Sequence, residues 1–254
     1  MSKLQSLRNS YRGRIFKTNQ GCTATIVEYI RRNNVIITFD EGILIKCSIG
    51  NLVKGAVINP FYPSVCGVGY LGIGKYFSSK NKIKDYKYVV WSDLLRRCYS
   101  KKFQERHPTY IGCSVCEEWH NFQNFAQWFE ESYNPEIMEG WELDKDILVK
   151  SNKVYSPETC CFVPKEINTI FGSRRNKRGL YLIGVRFQNN KYLARVRVNN
   201  IERQIGIFNT EIEAFQAYKV AKEEYIKEVA EKWRGKITEE TYQALINYII
   251  EITD

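Results

Sequence analysis

Tyr181-Leu-Ile-Gly-Val-Arg-Phe187, Lys191-Tyr-Leu-Ala-Arg-Val-Arg-Val198 and Arg203-Gln-Ile-Gly-Ile-Phe208 are three short runs separated by Gln188-Asn-Asn190 and Asn199-Asn200. In an extended chain successive side chains point to opposite faces, so residues two apart share a face. Asn-Asn pairs tolerate the positive φ that a two-residue hairpin demands. The pattern therefore predicts strands over 181–187, 192–198 and 203–208, paired as an antiparallel meander. Tyr192, Ala194, Val196 and Val198 then form one face, and Arg195 and Arg197 project from the other. By the same alternation Arg203 points away from that arginine-bearing face. Thr210, with Glu213 three residues on, is an N-cap and capping box. It opens a long helix whose Ala214, Tyr218, Ala221, Tyr225 and Val229 cover the apolar face of the sheet. A last short helix is expected over 239–250.

Working outward, Tyr86–Tyr99 carries Val90, Trp91, Leu94, Leu95 and Cys98 at helical spacing, and Asn121–Tyr133 carries Phe122, Phe125, Trp128 and Phe129. A short strand is expected around Trp141–Leu148 and a helical stretch at Lys165–Asn168. In the first third, Thr23–Ile30, Asn34–Phe39 and Ile43–Ile49 are rich in β-branched and aromatic residues and broken by Arg31-Arg-Asn-Asn34 and Asp40-Glu-Gly42, which predicts a small antiparallel barrel. The expected class is α+β in three parts: a β-barrel-like domain at 1–75, a helical module with a ββα motif at 76–172, and the sheet with its helices at 173–254.

The chain has 254 residues and a net charge of +10. Residues 1–75 hold ten basic and three acidic side chains, and Arg174–Arg203 holds nine basic residues and one acid, Glu202. A field that dense attracts polyanions and releases their counterions on contact. No apolar run is long enough to span a bilayer, and the polar start Met1–Ser10 lacks a secretion signal, so a cytoplasmic location is expected. Eight cysteines are then expected as thiols. Gly67-Val-Gly69-Tyr-Leu-Gly72 matches a dinucleotide fingerprint by letter. It lacks the preceding strand and following helix N-terminus that cradle a pyrophosphate, and reads as a glycine-rich linker packed with aromatics.

Residues 178–230 resemble the DNA-binding domain of plant ethylene-response and APETALA-type transcription factors. The resemblance rests on Ile183-Gly-Val-Arg186, Lys191-Tyr-Leu-Ala-Arg195-Val-Arg197, Ile205-Gly-Ile-Phe208 and Glu213-Ala-Phe-Gln-Ala-Tyr218. It implies a sheet lying in the major groove of double-stranded DNA, with Arg186, Gln188, Lys191, Arg195, Arg197 and Gln204 facing the duplex. The basic run Arg174, Arg175, Lys177 and Arg178 precedes it. The plant domains carry an acid where Arg195 stands and a tryptophan where Gln204 stands, so base preference does not carry over and phosphate contact is the expected role.

The middle third resembles HNH-type (ββα-metal) homing endonucleases of phages, through Trp91–Tyr99, Val115–Trp119, Phe122–Phe125, Leu143-Asp144-Lys145-Asp146, Tyr155–Cys160 and Glu166-Ile-Asn168. The resemblance implies a phosphodiester hydrolase in which Asp144 and Asn168 hold a divalent metal, Mg²⁺ or another. Lys145 stands in the slot of the general base, and Thr159 in that of the residue orienting it. Asp146 shares one side of a strand with Asp144 by parity and is a further candidate ligand. Lysine is a poor base at neutral pH and a good phosphate clamp. His120 is the alternative base from outside the motif, or an ordinary helix-start residue. Cys113 and Cys116, with His120 and Cys160 or Cys161, offer soft ligands, but one C-x-x-C pair is weak support for structural zinc, and buried thiols are the expectation. Two functions stay open: a DNA-nicking or DNA-cleaving enzyme, and a DNA-binding regulator or anti-defence protein that keeps the nuclease fold without its base. An RNA-binding role lacks a stacking motif. The first 75 residues suit a second DNA contact or a protein partner.

Overall fold

The computed structural model describes residues 3–171, 180–199 and 201–254. Helices and antiparallel sheets alternate in two compact units, Met1–Trp128 and Phe129–Asp254, so the α+β expectation holds. The division falls inside a helix of the expected central module. Among the described residues no helix is long and apolar enough to cross a membrane.

The first unit opens with α1 (Lys3–Tyr11), β1 (Ile15–Lys17), β2 (Thr23–Arg31), β3 (Asn34–Thr38), β4 (Leu44–Cys47) and α2 (Ile49–Val53). The strands form one antiparallel sheet in the order β1-β2-β3-β4. Alternation within β2 and β3 buries Ala24, Ile26, Val35 and Ile37, which pack with Phe39, Leu52 and Val57. Tyr11 of α1 stacks on Tyr29 at 4.8 Å between ring centroids. Ser48 caps α2 through its side chain, which accepts from the Asn51 N–H. This is an open sheet and not the expected barrel. Closure requires the first and last strands to pair along a tilted seam, and β1 and β4, only three and four residues long, sit at opposite edges without pairing to each other.

The rest of this unit holds a hairpin of β5 (Ser79–Lys80) and β6 (Ile83–Lys84), then α3 (Tyr86–Tyr99), α4 (Lys101–Arg106), the two-residue strand β7 (Ser114–Val115) and α5 (Phe122–Ser132), which runs through the boundary between units. Asp85 caps α3 by accepting from the Lys87 N–H. Trp91, Leu94 and Leu95 pack in the same interior as Trp119, Phe122 and Phe125, and the buried Trp91 indole donates to the Trp119 carbonyl at 2.7 Å. The glycine-rich segment is a packed strap, as read. A Cβ on Gly69 meets Leu95 at 2.3 Å, and one on Gly72 meets the Asn121 amide at 2.1 Å. Tyr70 exchanges backbone hydrogen bonds with His120 and Phe122. The glycines serve close approach of backbone to helix.

The second unit contains β8 (Glu142–Asp144), β9 (Val154–Tyr155), β10 (Cys161–Val163), α6 (Lys165–Phe171), β11 (Val185–Gln188), β12 (Lys191–Val198), β13 (Ile201–Phe208), α7 (Glu211–Trp233) and α8 (Glu239–Ile246). β8 and β10 pair antiparallel, Asp144 opposite Cys161 and Glu142 opposite Val163, and α6 follows directly, giving the expected ββα order. The later strands form a sheet in the order β11-β12-β13 with α7 across it. Asn189 and Asn190 both take positive φ, the hairpin geometry their identity predicts. β11 starts at Val185 and not at Tyr181, because Gly184 lies at φ +75° and turns the chain there. Thr210 and Glu213 form the capping box of α7. This helix also bonds to the ββα module: Lys232 and the Trp233 indole donate to the Glu166 carboxylate, and Trp233 meets Trp141 edge-on at 5.9 Å.

Candidate nucleic-acid interface

Residues directly opposite one another in a sheet share a face. Gln188 faces Lys191, Arg186 faces Leu193, Arg195 faces Gln204 and Arg197 faces Glu202. Alternation along β12 joins these pairs, so Arg186, Gln188, Lys191, Arg195, Arg197 and Gln204 all project from one side. On the other side Ala194 and Val196 are buried beneath α7. Arg203 lies opposite Val196 and so belongs with that second side, as alternation predicts.

A feature that the sequence did not reveal puts Gln204 where it is. Between Ala194–Gly206 and Arg195–Gln204 the register slips by one residue of β13. Such a bulge switches the alternation of the longer strand. Ile207 therefore shares the outer face with Gln204, three residues away, and Ile205 is the extra residue. Gly206, a residue without a side chain beside the slip, is the available sequence signal.

The charges on this face differ in their engagement. Arg195 Nη1 pairs with Glu202 Oε2 at 3.0 Å, and its side chain is largely covered. Lys191 Nζ donates to Asn209 Oδ1. Arg186 and Arg197 are exposed, and neither has an ion-pair or hydrogen-bond partner among the described residues. Exposed Glu202 is the one acid in this array, and a surface ion pair of that kind contributes at most about 1 kcal/mol, so a phosphate can displace it. Arg174, Arg175, Lys177 and Arg178 lie outside the described residues.

In the ββα module the strand ends at Asp144, so Asp146 does not share a strand face with it and stands on the following loop. Asp144 Oδ1 accepts the Asp146 and Ile147 N–H groups at 2.7 and 2.9 Å and so shapes that loop. Burial and the nearby Asp146 carboxylate push the Asp144 carboxyl above its usual range, against those two donors and Lys145. Lys145 is 7% exposed. Its Nζ donates to Asp146 Oδ1 at 2.6 Å and to the Asn152 carbonyl at 3.0 Å. An ammonium fixed by a carboxylate and a carbonyl has no free lone pair with which to take a proton from water.

Asn152, readable from the sequence only as part of a turn at Ser151-Asn152-Lys153, organises the loop. Its amide donates to the carbonyls of Lys145 and Val154 at 2.8 and 2.6 Å. Thr159 adds a bond to the same Val154 carbonyl at 2.8 Å and contacts Ser156, so both side chains fix the turn. Asn168 on α6 donates to Glu142 Oε2. Glu142 is not among the nominated site residues, although it lies two residues before Asp144 and shares its strand face. Of the nominated donors, Asp144 Oδ1 accepts two N–H groups, Asp146 Oδ1 pairs with Lys145, and Asn168 donates to Glu142 through Nδ2, a bond that does not use the Oδ1 a metal would take. Among the described residues no three His, Cys, Asp or Glu side chains converge.

His120, in the first unit, lies 3.1 Å from the Val115 carbonyl and 3.5 Å from the Tyr99 hydroxyl through Nε2, the environment of a packed imidazole. Cys113 and Cys160 are buried free thiols, as is Cys161, and Cys116 is partly covered. Burial raises the Cys160 thiol far above its usual value and pushes Cys161 up to about 12. Comparison with protein-family models, curated proteins and solved structures finds no match to this chain.

Proposed function

We propose that this chain is a double-stranded DNA-binding protein that grips the duplex with the outer face of β11, β12 and β13. The observation that carries the reading is the gathering of Arg186, Gln188, Lys191, Arg195, Arg197 and Gln204 on one sheet face whose opposite side is closed by α7. Guanidinium groups reach phosphates and guanine edges, and glutamine reaches adenine. Neutralised phosphates supply affinity, and the two glutamines supply selectivity. The test is duplex binding by fluorescence anisotropy over a range of salt. Arg186→Gln with Arg197→Gln should weaken binding and flatten the slope of log K against log salt by about two. An unchanged slope removes this face from the interface.

The resemblance to HNH-type homing endonucleases fits a binding protein that keeps the ββα frame without hydrolysis. Lys145, in the slot of the base, is buried and bonded to Asp146 and the Asn152 carbonyl. The order β8-β10-α6, with Asn168 on the helix against Glu142 on the first strand, favours a second reading, a metal-dependent nicking enzyme. Supercoiled plasmid with Mg²⁺ or Mn²⁺ separates the two. Nicking by the parent that disappears in Asp144→Ala establishes the enzyme; retained duplex binding with plasmid left intact establishes the binder.

A further inference from the structure

From Gly42 to Lys84 the chain carries six lysines and no acidic residue. Three of those lysines lie on the hairpin of β5 and β6, in the first unit. Ser79 pairs with Lys84 and Lys80 with Ile83, and Asn81 and Lys82 take φ +52° and +66° in the turn, the primed geometry that suits a tight two-residue hairpin. Lys80 therefore shares one face with Ile83, Lys84 lies on the other, and Lys82 stands at the tip. Every residue from Ser79 to Lys84 is exposed, Ile83 by 75%, and Phe77 just before them by 72%. No ion pair or hydrogen bond reaches the three lysines from the described residues.

The hairpin is nonetheless held firmly at its base. The Asp85 N–H donates to the Ser78 carbonyl at 3.0 Å while the Asp85 side chain caps α3. Below it the Gln123 amide bonds Leu71 and Tyr76 carbonyls and the Tyr76 N–H, all at 3.0 Å. Gly74 lies so close that a Cβ there meets Gln123 at 2.3 Å. A finger projected from a fixed base loses little conformational entropy when it binds.

We propose that this hairpin is a second, independent nucleic-acid contact, a lysine finger that enters a groove of duplex DNA and meets phosphates on both walls. A two-stranded ribbon fits the major groove, roughly 12 Å wide, and lysines on both faces match a groove bordered by phosphates on both sides. An element that dips into a lipid surface places apolar side chains deepest and lysines behind them. Here the tip is Asn81-Lys82, so the deepest point is polar and charged. The site uses none of the residues of the β11–β13 face and stands whether or not that face binds DNA.

The test is made on the full chain, with a 20-base-pair duplex, the corresponding single strand, and phosphatidylserine/phosphatidylcholine vesicles as probes. Lys80→Gln, Lys82→Gln and Lys84→Gln together should weaken duplex binding roughly tenfold or more and flatten its salt slope by about 2.7, three phosphates at about 0.9 each. Thermal melting should be unmoved, because the three side chains are exposed. Arginine at all three positions should restore the slope. In a background of Arg186→Gln and Arg197→Gln the hairpin's share of the slope should persist, which separates this proposal from the sheet interface. An unchanged duplex slope, an effect confined to the single strand, or loss of vesicle binding with duplex binding intact would each overturn it.

Discussion

Arg195 and Glu202 form an ion pair across β12 and β13, Nη1 to Oε2 at 3.0 Å, and Glu202 lies directly opposite Arg197 in the register. One carboxylate thus pairs with Arg195 and stands opposite a second arginine of the proposed binding face, Arg197. Replacing it frees Arg195 for a phosphate and removes a like charge from the path of the duplex. Glu202→Gln should tighten duplex binding several-fold at low salt and steepen the salt slope by about one. Folding stability should change by less than about 1 kcal/mol, because the Glu202 side chain is exposed. Weaker binding by the variant would mean that Glu202 positions Arg195 for contact and does not restrain it.

Gly184 turns the chain into β11 at φ +75°, its carbonyl accepts the Arg195 N–H at 2.8 Å, and a Cβ there meets the Tyr218 ring at 2.1 Å. Gly184→Ala combines left-handed strain with displacement of a buried ring and should cost roughly 2–4 kcal/mol in urea unfolding. Gly140, also at φ +75° but with open space around it, isolates the conformational part, and Gly140→Ala should cost only about 1 kcal/mol. Equal costs at the two sites would show that the Tyr218 contact contributes nothing.

The C-terminal unit is legible because its determinants are local. Alternation in Tyr192–Val198, the Asn189-Asn190 turn and the Thr210–Glu213 box each act within a few residues, and all three recur in the structure. The β13 bulge is set by pairing with β12, which no single strand records. The ββα loop hid its wiring for a related reason. Lys145 is held by Asp146 beside it and by the Asn152 carbonyl seven residues on, so the roles of Lys145, Asn152 and Thr159 depend on how the loop closes. Open or closed sheet was likewise undecidable from Thr23–Cys47, since closure depends on the edge strands meeting. The helical α1 has little apolar periodicity to announce it.

Asp144 separates a structural carboxylate from a metal-binding one. Its Oδ1 accepts two backbone N–H groups, which an amide oxygen can also do, and its carboxyl is shifted upward by burial and Asp146. A carboxyl raised on folding stabilises the protein below its unfolded value, and that contribution is lost as pH rises through the folded value. At neutral pH Asp144→Asn should therefore be neutral or stabilising, and stability should fall less on going from acid to neutral pH than in the parent. Asp144→Ala leaves two N–H groups without an acceptor and should cost about 1–2 kcal/mol. EDTA should leave the melting temperature of the parent unchanged. A clear drop with EDTA, absent in Asp144→Asn, would instead place a resident metal there.

Lys222 on α7 gives the remaining prediction. Its Nζ donates to the Ile170 carbonyl at 2.9 Å, and burial alone lowers the ammonium to about 8 from 10.5. Folding therefore disfavours the charged form. Below about pH 8 both states hold the proton and the full cost is present. Between about 8 and 10.5 only the unfolded state stays protonated, so stability rises with pH; above that the cost is gone. Lys222→Met keeps the aliphatic packing, removes the buried cation and loses one hydrogen bond. The net effect should be a gain of about 1 kcal/mol at pH 7 that shrinks through this window and reverses above it, as read by urea unfolding of both proteins from pH 7 to 10.5. A gain that does not vary with pH would show that Lys222 is solvated in the folded chain.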